Sequence, residues 1–478
     1  MTHAKRRPLA AFFIAFSVSS SLSFVSNATA DDAANSPGRS VAEERFDQTF
    51  FDATRDASAE AVQVRLSRVL KQRIEAINRC CRLNDSQTKK LEFVGRGTIK
   101  HVIESIAAQK QAFLSEERDD LSAARYLYES PEILALRKTL RDGPFDEESL
   151  FAKSVVGVLT PEQAARYAER FAIAGGSHRK ITAANVGDLV RIAKNQRNVY
   201  RVAWDRDGKH VGYLELSNQV DIYLPSADQP IHTIGKGKQV LGFDFGPNAD
   251  LVATVDRSAN ATVLNFSEGK EFQIPTGQTQ YSVKFSPDGK TLVTAGYGTK
   301  AYLWSTATGE LVREFDLGPR IGGLTPAFSP DGKILAVGNR NSTTGLFDVT
   351  SGKLLHTLEE TSSHDLRFDP SGETLAVVYV SGQLILWDVR TGKLKKNVQS
   401  WADELYTVDW TPDGTMLVTG GYNSPLTFWN STDLSIVGEF ESPEWIMSAR
   451  FSPDGTKLIF AGHNRPPENR YVETWAVP

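Results

Sequence analysis

Cysteine is almost missing from this chain. Cys80 and Cys81 are the only two in 478 residues, and they are adjacent. A disulfide scaffold is thereby excluded, and neighbouring thiols bonded to each other would close a strained ring. No further ligands lie nearby at metal-binding spacing. On a helix Cys81 continues an apolar stripe, so burial accounts for it. Cys80 falls toward the polar side, where the alternative is an intermolecular disulfide in an oxidising compartment.

Catalytic signatures are missing too. There is no Gly-rich phosphate loop, no Gly-x-Ser-x-Gly elbow and no His-Glu-x-x-His helix. The eight histidines are scattered: His364 and His463 belong to different units, and His210 and His232 stand alone. No enzyme, cofactor or metal centre is expected. Excess positive charge is absent: 54 basic against 58 acidic residues leave −4. Residues 1–30 carry +3, residues 31–180 balance at 24 of each sign, and residues 181–478 carry 27 − 34 = −7. A nucleic-acid partner is therefore not expected.

The only long apolar run is near the start. Lys5, Arg6 and Arg7 precede an apolar stretch from Leu9 to about Phe24, followed by Ala28-Thr29-Ala30. That order reads as a cleaved secretory signal over residues 1–30, because serines dilute the stretch below what a membrane span needs. The expected mature protein is extracytoplasmic, periplasmic or secreted, without stable membrane insertion.

What is present falls into two parts. Residues 31–180 read as a helical domain. Val62, Leu66, Leu70, Ile74, Ile77 and Cys81 recur in steps of three and four, which makes one stripe on a helix over 58–82. A second helix is expected from about Asn84, with Leu91, Val94, Val102, Ile103 and Ile106 inward and Gly95 and Gly97 as candidate breaks. Ser130-Pro131-Glu132 reads as a cap with proline at the first helical position, and that helix should stop at Gly143-Pro144. Leu83-Asn84-Asp85-Ser86-Gln87 and Leu159-Thr160-Pro161-Glu162-Gln163 both place a capping residue three positions before a glutamine, the spacing of a capping box.

From residue 181 the pattern changes to short apolar strands with turn signals, after Gly175-Gly176. Phe285-Ser286-Pro287-Asp288-Gly289 recurs at Phe328 to Gly332 and Phe451 to Gly455. Looser copies run Trp204 to Gly208, Phe368 to Gly372 and Trp410 to Gly414, and a seventh, Phe245 to Ala249, has lost its glycine. The copies end at 208, 249, 289, 332, 372, 414 and 455, so the steps are 41, 40, 43, 40, 42 and 41. A period near 41 with four short strands per unit is the signature of propeller blades. Each aromatic and the residue two before it alternate inward, and Pro-Asp-Gly makes the turn. About fifteen residues later stands a second anchor: Tyr223, Leu264, Trp304, Phe347, Trp387, Trp429 or Trp475. The expected fold class is thus multidomain α plus all-β, an N-terminal helical domain followed by a seven-bladed β-propeller over 181–478.

This region resembles the WD-repeat family, with Leu386-Trp387-Asp388-Val389 matching the namesake dipeptide. It departs by lacking the Gly-His dipeptide and the aspartate before the third strand. Leu159 to Gln163 resembles the LTxxQ motif of small periplasmic stress-response proteins, which implies an all-helical dimer that binds misfolded proteins or metals.

The last unit ends at Val472–Val477, its third strand. Asp188-Leu189-Val190-Arg191-Ile192 has strand alternation and is expected to supply the outer strand, so that both chain ends lock the ring. The remaining candidate is a surface. Counting along the repeat places Arg257, Tyr297, Arg340, Tyr379, Tyr422 and His463 on loops of one face, with Trp401 and Trp445 just before innermost strands. Aromatics and arginine are enriched at binding hot spots. The expected function is a non-catalytic scaffold that binds a protein or peptide there, with the helical domain recruiting or forming a homodimer. One alternative is an envelope stress sensor or chaperone led by the helices. A propeller enzyme would need carboxylates clustered on the channel axis, and no such cluster is evident.

Overall fold

The computed structural model describes residues 40–477, except 53–57, 117–118, 143, 146–148, 172–177, 226, 228, 249, 319–321, 341–342, 361, 401, 441–444 and 464–469. The signal segment, Gly175-Gly176, Ala249 and Trp401 lie outside the described residues.

Among the described residues seven helices come first: α1 (Val41–Asp52), α2 (Ala59–Cys81), α3 (Asp85–Leu114), α4 (Asp120–Glu129), α5 (Pro131–Asp142), α6 (Leu150–Val158) and α7 (Pro161–Phe171). The α2 stripe is buried along its whole length, from Val62 to Cys81. It packs on Leu91, Ile99, Val102 and Ile106 of α3, and Phe46 and Phe50 of α1 join the same core. Gly95 does not break α3. It sits where a Cβ would come within 2.2 Å of the Leu70 side chain, so its lack of a side chain sets how closely α2 and α3 approach. Neither Cys80 nor Cys81 forms a disulfide; Cys81 is buried and Cys80 partly so.

Both capping boxes form, and they meet. Asn84 accepts from the Gln87 amide while Gln87 Oε1 accepts from the Asn84 amide, each at 2.9 Å. Thr160 and Gln163 do the same at the start of α7. Gln87 Nε2 then donates to Gln163 Oε1 at 2.7 Å and to the Val158 carbonyl at 3.0 Å. Gln163 Nε2 donates to the Cys81 carbonyl at 3.0 Å. One pair of buried amides thereby satisfies the end of α2, the start of α3, the end of α6 and the start of α7.

After a short turn at Val186–Asp188 the chain is all strand, and among the described residues it forms seven four-stranded antiparallel blades. The innermost strands are Val199–Trp204, Val240–Phe245, Gln280–Phe285, Gly322–Phe328, Ser363–Phe368, Glu404–Trp410 and Trp445–Phe451. Turn glycines adopt positive φ, and each abuts the turn proline of the preceding unit: Gly332 against Pro287, Gly372 against Pro330, Gly414 against Pro370, Gly455 against Pro412. Gly208 meets Pro453, which joins the first blade to the last. The second anchors pack between blades, with Trp304, Phe347, Trp387 and Trp429 buried.

The ring closes as the sequence predicts. Val190–Gln196 pairs antiparallel with Arg470–Ala476, from Val190 opposite Ala476 to Gln196 opposite Tyr471. Buried Glu473 takes Arg191 at 3.3 Å and Lys194 at 3.1 Å, both from the closing strand, and the Trp475 indole at 2.8 Å. Val186 and Leu189 bury beside Met416, Phe428 and Phe460. Arg68 of α2 reaches Glu439 in the outer strand of blade 6 at 3.1 Å, linking helices and ring.

Deleting residues 185–195 would leave Glu473 buried without its cations and expose a sheet edge. The expected result is a sharp fall in melting temperature by scanning calorimetry. An unchanged melt would contradict the closure role.

Candidate functional site

Each innermost strand starts on the upper face, where the second strand of the same blade ends. In six of the seven, the ladder slips by one residue near this upper end. A bulge leaves the skipped residue unpaired and re-aims its side chain. In blades 5 and 6 the skipped residues are His364 and Tyr406, whose rings meet edge-on at 4.9 Å.

Three of the predicted residues come together here. Tyr422 ends the second strand of blade 6 and lies opposite Trp445, the first residue of the innermost strand of blade 7. Trp445 in turn lies opposite His463, at the end of the next strand. Lateral neighbours in one ladder present side chains on the same side. Their rings stack, Tyr422 on Trp445 at 4.6 Å and Trp445 on His463 at 4.4 Å. All three are half-buried.

Polar groups lie next to the stack. Glu404 Oε2 is 3.6 Å from His364 Nε2. Tyr406 interacts with both Glu404 and Trp445, and Arg340 acts on Tyr406 and Glu404 from the loop of blade 4. Burial pushes the His364 imidazole below its ordinary value, outweighing the opposing pull of Glu404. Glu404 is lowered, chiefly by its bond with His364. Burial raises the Tyr406 phenol.

Arg257 and Tyr297 are exposed on the same rim but join no ring contact. The cross-strand partner of Tyr297 is Gly323, which offers no side chain to stack on. Tyr379 must be corrected. It is 1% exposed and packs between blades, accepting from Trp387 Nε1 at 3.2 Å. The rim residues stand eight positions after the turn residue, as 289 to 297, 332 to 340 and 414 to 422 show, whereas 372 to 379 is seven. One residue of slip turns a strand side chain to the opposite face. Val380 is the true counterpart.

Sequence reasoning missed the channel below this mouth. The residue before each repeat aromatic faces the axis, which places Asp244, Lys284, Arg367, Asp409 and Arg450 there. Contact across the ring shows it: Asp365 of blade 5 meets Arg450 of blade 7 at 2.9 Å, passing over blade 6. The signal was available, because the aromatic and the residue two before it point into the blades and leave the one between facing the axis. Carboxylates do therefore cluster on the axis, contrary to expectation, but each has a cation beside it. Lys284 sits 2.5 Å from Asp244 and Arg367 3.8 Å from Asp409. Asp244 and Asp409 also accept the Phe285 and Phe451 amides of the next blade. Among the described residues no three His, Cys, Asp or Glu side chains form a metal-holding group. No helix among them is long and apolar enough to cross a membrane.

Comparison with known proteins bears on the ring. Residues 270–305 match the family model "WD domain, G-beta repeat" and residues 327–427 match "Eukaryotic translation initiation factor eIF2A". The curated "WD repeat-containing protein slr1409" of Synechocystis sp. (strain ATCC 27184 / PCC 6803 / Kazusa) is 34% identical over 92 residues. That stretch covers 19% of this chain and 28% of the relative.

The His364 environment has a pH consequence. Its folded value lies below the ordinary value of about 6.5, so on acidification the unfolded chain takes up the proton first. The stability His364 contributes is complete above about pH 6.5 and is lost as pH falls toward its folded value. Melting temperature should therefore fall less steeply from pH 7.5 to 5 in His364→Gln than in the wild type. Parallel curves would contradict this.

Proposed function

We propose that this chain, whose C-terminal region is a WD-repeat propeller, is a non-catalytic extracytoplasmic scaffold that binds a protein or peptide on the upper face of its ring. WD-repeat proteins generally mediate protein–protein contacts. The observation that carries the reading here is the Tyr422–Trp445–His463 stack, set beside Arg340 and Glu404 at the channel mouth. Stacked rings present large, rigid area with polar edges, the composition of a binding hot spot. The secretory start supports the extracytoplasmic placement, and the helical part would recruit or dimerise.

A second reading, a stress sensor or chaperone led by the helices, draws on an open groove of about 830 Å³ between α3 and α6, where Phe93 is 77% exposed. The LTxxQ-like glutamines themselves argue less for it. Gln87 and Gln163 are buried and spend their amides on helix ends and on each other.

Capture from an envelope extract by the full chain separates the two. Trp445→Ala or Tyr422→Ala should keep the far-ultraviolet circular dichroism and lower retention of a specific partner by tenfold or more, the scale of a hot-spot residue at about 2 kcal/mol. Phe93→Ser should leave retention unchanged. Equal retention by wild type and both ring variants, with loss in Phe93→Ser, would transfer the function to the helices.

A further inference from the structure

The charges on the propeller axis do not balance, in a ring whose net charge is acidic. Three carboxylates point inward, and each is matched by one cation: Asp244 with Lys284, Asp365 with Arg450, Asp409 with Arg367. A fourth cation is left over. Arg201 stands two positions before Ala203 on the innermost strand of blade 1, on the same axial side. Its guanidinium makes no ion pair or hydrogen bond with any described residue, and Nη1 is shielded from solvent without a partner. A buried polar nitrogen without an acceptor carries a desolvation cost, and a buried charge a larger one.

Three further observations place this surplus in a space that solvent reaches. Arg201 acts electrostatically on Lys284 of blade 3, Arg340 of blade 4 and Asp365 of blade 5, as well as on Tyr200 beside it, so its charge projects across the ring. The paired axial side chains keep between 10% and 21% of their surface accessible, although the strands that carry them are enclosed by neighbouring blades. At the level of Arg201 the other blades contribute Gly242, Ser282, Thr325, Thr407 and Ser448, all small except for Asp365. Burial penalises both signs along the axis, raising Asp409 and pushing Lys284 down to about 8, yet only the cations have an uncompensated member.

We propose that the propeller axis is an oxyanion site, in which a carboxylate or phosphate-type group enters past Arg340 at the upper mouth and is held by Arg201. A guanidinium offers two parallel N–H donors that fit such a group, and a low-dielectric channel strengthens the contact. The carboxylate stitches at Asp244 and Asp409 have a structural use, since they accept backbone amides of the next blade. Arg201 has no such use. Such a group is carried either by a free small anion or by the acidic side chain of a bound polypeptide, and the site itself does not depend on capture by the aromatic stack.

The test uses the full chain with sulfate, glutarate, and a peptide of alternating glutamate and glycine, each against chloride at matched ionic strength. Sulfate or glutarate should raise the melting temperature saturably by about 2–4 °C. Arg201→Gln should lower the affinity tenfold or more with an unchanged circular dichroism spectrum. Ala203→Asp supplies a carboxylate within the chain, so it should raise the melting temperature and abolish the response even if Arg201→Gln fails to fold. Response to the small anions identifies a free ligand, and response to the peptide alone identifies an acidic side chain. Trp445→Ala should leave the small-anion response intact, which separates this site from the protein-binding face. Equal responses in wild type and Ala203→Asp, or none to any of the three probes, would overturn the proposal.

Discussion

Closure of the ring is the constraint on which the rest of this structure depends. Seven blades meet around one axis only if the seventh is as complete as the others, and its outer strand comes from residues 190–196, nearly three hundred positions before its partner. The bond is more than a backbone ladder. Glu473 is buried at the seam, and its two cationic partners, Arg191 and Lys194, both arrive with the closing strand. On the inner side the first and last blades are joined by the Trp204 indole, which donates to the Arg450 carbonyl, and by the Val202 amide, which donates to the Ser448 hydroxyl oxygen. The axial charges come from blades far apart in sequence, and they face one another around a single axis only once this seam has formed.

Within the closed ring a small interlock repeats. The proline of one turn fits beside the glycine of the next, at a positive φ where a side chain would be strained. The two departures from this pattern are neighbours. The unit with Ala249 in place of glycine follows the unit with Arg206 in place of proline. Trp304 donates to Thr294 at 2.9 Å and Trp429 to Thr419 at 2.8 Å, so the buried indoles are satisfied by the adjacent strand of the same blade.

Much of this was legible in the sequence because it is periodic or local. The α2 stripe, both capping boxes, the 41-residue period and the closing strand each follow from spacing along a short stretch. What was hidden depends on partners distant in sequence. The glutamine side chains of the two capping boxes bond to each other across 76 positions, and no local rule joins them. Helix α1 carries Phe46 and Phe50 into the core without a long periodic pattern of its own. Gly95 looked like a break because propensity disfavours glycine in a helix, whereas packing against Leu70 requires it. Tyr379 stands one residue short of the rim position, which is enough to exchange rim for core. The axial charges lay in plain view between two inward residues, but their pairing is set by the ring and not by the chain.

The proposed binding surface is the upper face, where Tyr422, Trp445 and His463 stack above a cationic axis. Hydrogen–deuterium exchange on the full chain, with and without a captured partner, tests it most directly. Exchange should slow at the upper ends of the strands over 404–410, 416–422 and 445–463 when the partner is bound. Protection confined to the helices, or to the Pro-Asp-Gly turns on the lower face, would contradict it.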